Sequence, residues 1–182
     1  MASLIRWARL PMMVLSALCA LALSVGGAFA ASPTTNEHLK TSGDIERALR
    51  ARQVQTQGAS TQITAEKAYA AWLAATIASL QQQGKNVTDL NNGLTRFNGQ
   101  IATSQGALQN NEDMLATHTG FDAQGTVVDK GQARSTVDDM HSNLLLIKRT
   151  ASNAKNDLND LLHRWGKTYD VPFGSNAADN AF

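Results

Sequence analysis

Apolar residues return at alternating steps of three and four near the end of the chain: Val137, Met140, Leu144, Ile147, Ala151, Ala154, Leu158, Leu161 and Trp165. On a helix that spacing lays all of them on one stripe, with Asp, Asn, Lys and Arg filling the positions between. The pattern predicts a helix over 136–165 with Ser135 or Thr136 as its N-cap. Asp138 and Asp139 then fall near the positive end of the helix dipole, and His163, Arg164 and Lys167 near the negative end. Gly166 is a suitable terminator. A stripe this long has to be buried, and another helix of the same chain is the natural cover.

A second seam supplies that cover. Leu94, Ile101, Leu108 and Leu115 stand seven residues apart, and Leu90, Phe97, Ser104 and Asn111 hold the complementary positions. The spacing predicts a helix over 88–117, apolar in its first half and mixed in its second. Gly93, Gly99 and Gly106 read as lying off the seam, each costing about 1 kcal/mol against alanine. The stretch from His118 to Gly131 is the longest internal loop candidate. A turn centred near residue 126 makes the two long helices antiparallel and sets Leu115 level with Val137, Leu108 with Leu144 and Ile101 with Ala151. Asn111 then faces Met140, and Phe97 comes opposite the small Ala151 and Ala154. The predicted seam is therefore Leu94, Phe97, Ile101, Leu108 and Leu115 against Val137, Met140, Leu144, Ile147, Ala151, Ala154, Leu158, Leu161 and Trp165.

Upstream the pattern is weaker. A helix over 44–57, capped near Ser42 or Asp44, carries Ile45, Ala48, Leu49 and Val54 beside a basic face of Arg47, Arg50 and Arg52 that reads as solvated. Gly58 to Thr61 breaks the period. It resumes over 63–83 with Ile63, Ala70, Leu73, Ile77 and Leu80, flanked by Tyr69 and Trp72 and interleaved with alanines, and Gly84 is its stop. The expectation is an all-α, elongated three- to four-helix bundle over 44–168 with a long antiparallel coiled-coil-like hairpin. A flexible leader over 31–43 precedes it, and a tail over 169–182 with the apolar Val171-Pro172-Phe173 follows.

Residues 1–30 change the setting. Arg6 and Arg9, the apolar run from Pro11 to Val25, and Ala28-Phe29-Ala30 have the layout of a secretory signal peptide with a mature start at Ala31. The alternative, an uncleaved anchor, sits near the lower length limit for a span. Acylation at Cys19 is disfavoured by Leu18 before it. Removing the segment takes the single cysteine with it, so the mature chain of ~150 residues has no disulfide framework and suits one domain. The expected location is periplasmic or secreted, with no stable membrane span after cleavage. A formal net charge of +1 argues against electrostatic nucleic-acid binding. Aromatics at 5% leave the core to Leu, Ile, Val and Ala.

Chemistry is sparse. His38, His118, His141 and His163 form no pair at one-turn spacing, so no two share a helix face as metal or haem ligands. No catalytic, cofactor-binding or metal-ligating residues are assigned, and no enzyme activity or cofactor is expected. What remains is a helical protein that works by contact. The exported, cysteine-poor layout, its Ala/Gln/Asn-rich helices and the Ser142-Asn143-Leu144-Leu145-Leu146 stretch resemble, in architecture and without a diagnostic motif, the minor pilus subunits of type IV secretion and conjugation machines. The resemblance implies a structural or accessory component of an envelope assembly, with other envelope proteins or copies of itself as partners. A periplasmic bundle holding a small ligand, cofactor or metal and a surface adhesin or chaperone-like protein are the alternatives.

Overall fold

The computed structural model describes residues 39–169; the expected signal peptide, most of the leader and the tail from 170 onward lie outside them. Three helices make up the described chain: α1 (Ser42–Gln82), α2 (Thr88–Thr117) and α3 (Lys130–Tyr169). At 1.5 Å per residue they run roughly 60, 45 and 60 Å. The fold is all-α, with no strand among the described residues and one isolated bridge, Phe121 to Val127. The chain goes up, down and up. Val127 N–H donating to Glu46 and Lys130 Nζ donating to the Lys40 carbonyl fix one end, and Trp165 Nε1 donating to the Asn86 carbonyl fixes the other.

The expected break at Gly58 to Thr61 does not exist. α1 is one continuous helix whose buried positions keep the three–four alternation from end to end: Ile45, Leu49, Arg52, Thr56, Ala59, Ile63, Glu66, Ala70, Leu73 and Ile77. Ala59 inside the supposed break is fully buried. Thr61 and Thr64 donate their hydroxyls back to the Gln57 and Ser60 carbonyls, so the polar run is absorbed into the helix. Packing overrides the local cost of Gly58. Thr41, not Ser42 or Asp44, is the N-cap. Its Oγ1 accepts from Asp44 N–H while the Asp44 carboxylate accepts from Thr41 N–H, a reciprocal capping box. The Thr41 hydroxyl donating to the Asp44 carboxylate, and then the Thr41 N–H, hold Asp44 below its ordinary carboxylate range.

α3 also starts earlier than its apolar stripe suggests. Asp129 caps it, Oδ1 accepting from Gln132 N–H and the carbonyl from Ala133 N–H. Thr136 is therefore inside the helix, buried, with its hydroxyl donated to the Thr119 carbonyl. Asp138 and Asp139 lie two turns beyond the N-terminus, outside the reach of its dipole. Gly166 does not end the helix, which runs on to Tyr169.

α2 is ten residues shorter than α3 (30 against 40), and the connection 118–129 fills the space it leaves. Gly120 turns the chain at φ +85, and a Cβ there would overlap the backbone N of Ala133 and come within 2.6 Å of its Cα. Only glycine lets the loop lie against the first turn of α3. Asp122 Oδ1 accepts from Gln124 and Thr126 N–H, which organises the turn and keeps that carboxyl below its ordinary range. Phe121 then joins Leu39, Ile45, Leu49, Ala133, Val137 and Met140 in an apolar cluster at this end of the bundle. Leu39 belongs to the packed structure, although its sequence neighbourhood reads as leader. A larger cluster, from Ala59 and Ile63 through Phe97 and Ile147 to Leu161 and Trp165, fills the rest.

Candidate functional site

α2 and α3 share the most extensive helix–helix interface. Of the predicted seam, Phe97, Ile101, Leu108, Val137, Met140, Leu144, Ile147, Ala151, Ala154, Leu158, Leu161 and Trp165 are buried, and Leu94 and Leu115 are partly buried. On α2 the burial centres on Leu90, Phe97, Ser104 and Asn111, so the polar positions of that helix are the deeper ones. Phe97 meets Tyr69 of α1 edge-on, ring centroids 6.1 Å apart, a contact the two-helix register does not anticipate. Burial pushes the Tyr69 hydroxyl up to about 12. Gly93 does not lie off the seam. It is buried, and a Cβ on it would overlap Leu161 Cδ2. Gly99 and Gly106 face open space.

A polar layer separates the two apolar clusters. Asn111, with no exposed surface, is its centre: its amide nitrogen donates to Thr56 Oγ1 on α1 (3.4 Å) and to the Met140 carbonyl on α3 (3.3 Å). Its oxygen accepts from Asn143 (2.9 Å), also on α3. One side chain thus ties all three helices. Arg52, expected on a solvated basic face, is instead 4% exposed and donates to Gln55 Oε1 at 2.7 Å. Its Nε, and the buried Oδ1 of Asp138, have no hydrogen-bond partner among the described residues. Burial lowers the Arg52 pKa, an effect the Asp138 charge opposes. His141 is held below its ordinary value by burial and then by the Arg52 charge, with Asp138 acting the other way. A second buried charge-bearing residue, Glu66, is 2% exposed. Burial raises its pKa, and the Gln62 amide donating to Oε1 at 3.0 Å opposes the shift.

The outer surface offers two features. Leu145 and Leu146, 46% and 40% exposed, stand side by side on α3 between Ser142 and Arg149. At the loop end, a cleft of about 220 Å³ opens between α1, the last turns of α2 and the connection. Leu49, Phe121, Met114 and Leu115 line it, with Arg50, Gln53, His118 and Gln124 around them. Sequence reading missed this cleft because its walls come from three segments without a shared motif. His118 alone carried a signal, as a histidine directly before Thr-Gly at a helix end. His163 is exposed, and His38 lies outside the described residues.

Among the described residues no group of three His, Cys, Asp or Glu side chains could hold a metal ion, and no helix is long and apolar enough to cross a membrane. No protein-family model, curated protein or solved structure gives a significant match to the chain. The geometry alone carries the functional argument.

Proposed function

We propose that this is an exported, non-enzymatic helical protein that acts through protein–protein contacts, as a structural or accessory component of an envelope assembly such as a secretion or conjugation apparatus. The observation behind the reading is the Leu145–Leu146 pair. Two large apolar side chains are presented on the outside of a rod whose own core is already filled by Leu144, Ile147 and Ala151. Each is already more than half covered by the bundle, so burying the remainder against a partner is worth roughly 1 kcal/mol apiece. Polar and charged residues one turn away on either side, among them Ser142, Asn143, Lys148 and Arg149, frame the pair as an apolar patch on a polar face. The signal-like segment over 1–30 supports export.

The test is a pull-down of tagged protein from the native envelope, beside the Leu145→Asn/Leu146→Asn double variant. Both changes lie on the surface, so the fold should persist, as the far-UV spectrum would verify. The reading expects a defined set of envelope partners that the variant loses. Capture of the same proteins by both forms, or of none, overturns it. Intact mass of the exported protein checks the expected start at Ala31, and retention of Met1 would refute cleavage.

A further inference from the structure

We infer that the Leu145–Leu146 patch pairs with the same patch on a second copy of this chain, α3 lying antiparallel to α3 about a two-fold axis between the leucines. The pairing rests on the reading of these leucines as a contact surface and names what covers them. At about 100° per residue, the face of α3 centred on the pair also carries Arg134, Asp139, Arg149 and Asp157, all exposed. Their order is reversed in sign across the leucines. Arg134 stands eleven residues before Leu145, and Asp157 eleven after Leu146. Asp139 lies six before Leu145, and Arg149 three after Leu146. In a two-fold contact residue i meets j while j meets i, so a face pairs with itself where its pattern complements its own reversal.

Reversing one copy onto the other sets Leu145 against the partner's Leu146 and brings Arg134 level with the partner's Asp157. Arg149 comes within three residues' rise, about 4.5 Å along the axis, of the partner's Asp139. Arg149 has no acid one turn away on its own helix, where Leu145, Leu146, Ser152 and Asn153 stand, and no ion-pair partner among the described residues. The groups it and Arg134 would meet are held only loosely within the bundle. Ser135 Oγ donates to Asp139 at 3.4 Å, and the Gln100 amide to Asp157 at 3.3 Å. Arg134 lies 3.9 Å from Asp138 on its own helix, with its side chain 52% exposed. Parallel pairing in register would set every charge against its like, so the order of charges selects the antiparallel pair. The contact from Arg134 to Asp157 is ~36 Å long at 1.5 Å per residue and one helix wide. That is less than the ~800 Å² per partner of a standard interface, which places the dissociation constant on the order of 0.1 mM.

Sedimentation equilibrium of the purified protein up to about 1 mM, some tenfold above the expected constant, tests this. The parent should pass reversibly from monomer to dimer mass and go no further, because a two-fold contact closes. Leu145→Asn/Leu146→Asn should stay monomeric over the same range, a loss of at least about tenfold in affinity. Arg149→Glu and Asp139→Arg should each weaken the dimer by about three- to tenfold. An equimolar mixture of those two variants should regain the parent's affinity, since each reversed charge then meets its opposite. Parallel pairing predicts instead that neither charge variant alone weakens the dimer. A monomer at the highest concentration, growth past the dimer, a dimer that survives loss of both leucines, or charge variants without rescue in the mixture would each overturn the pairing. A monomer that still captures envelope proteins through the leucines would overturn the pairing alone, and the contact-surface reading falls only with the pull-down.

Discussion

Alanine at Gly93, Gly99 and Gly106 should give opposite results on the same helix. At Gly99 and Gly106 the added methyl meets nothing within 4 Å, so only helix propensity changes, and each variant should gain about 1 kcal/mol. At Gly93 the same gain is set against a collision with Leu161. The overlap is confined to Cδ2, since Leu161 Cγ would sit 3.4 Å away in ordinary contact. Turning the leucine about its last torsion would relieve it, but Leu161 is buried and its alternative rotamers displace neighbours. Overpacking of this kind costs typically ~1–3 kcal/mol, so Gly93→Ala should come out between neutral and about 2 kcal/mol destabilised. Leu161→Ala alone should lose ~2–5 kcal/mol through its cavity. In the double variant the new methyl enters space the leucine vacated, and the losses should fall short of their sum by roughly 0.5–3 kcal/mol. Urea melts of the parent, the two single variants and the double variant measure this, with unchanged m-values as the check that one transition is being compared. Strict additivity would mean that Gly93 and Leu161 do not touch, and the α2–α3 register would be wrong.

Other outcomes follow from the buried polar groups and the loop. Asn111→Ala should lose on the order of 2–4 kcal/mol, because it strands Thr56 and leaves a void where three helices meet; a loss under about 0.5 kcal/mol in a denaturant melt would show the layer to be unformed. Glu66 binds its proton more tightly folded than unfolded, so its favourable contribution is complete below the ordinary value near 4.5 and is lost as pH rises through the raised value. Glu66→Gln should therefore match the parent near pH 4 and exceed it in melting temperature at neutral pH, and parallel pH profiles would refute the assignment. Gly120→Ala should cost on the order of 3–5 kcal/mol, since both its positive φ and the adjoining Ala133 backbone exclude a side chain; near-parental thermal stability would place the loop elsewhere.

The α3 stripe was legible because every position on it is apolar, and the bounds of α2 were legible because Thr88 and the His118-Thr-Gly sequence punctuate a regular seam. α1 was not, and the reason is specific. Arg52, Thr56 and Glu66 occupy core positions, so a filter for apolar residues loses the period there and reads Gly58 to Thr61 as a break. Counting the position rather than the residue type would have carried the alternation through. Gly93 was missed in a similar way: it stands three after Leu90 and four before Phe97, on their stripe, but a glycine registers no hydrophobicity. The start of α3 was set too late because Gly131 suggested loop, although Asp129 is an N-cap residue in the right place. The cleft had no counterpart in the sequence, since Leu49, Met114 and Phe121 come together only through the fold.

The polar layer explains how a bundle of such repetitive helices settles on one register. Apolar positions spaced by seven residues are nearly equivalent, and a helix displaced by one heptad, about 10 Å along its axis, would still present Leu, Ile and Ala to its neighbours. Asn111 is not equivalent to any of them. Its oxygen and both N–H groups of its amide nitrogen are matched only when Thr56 and Met140 are level with it and Asn143 is within reach. Displacement by a heptad would leave it among the apolar residues of either cluster, where an unpartnered amide costs ~1–3 kcal/mol and Thr56 and Asn143 lose their partner as well. Arg52, buried on α1 and bonded to Gln55 of its own helix, adds a second polar group that a displaced register would carry in among apolar neighbours. An apolar replacement such as Asn111→Leu could match or exceed the parent in stability and still lose the single arrangement, which is the expected signature of a group kept for specificity rather than strength.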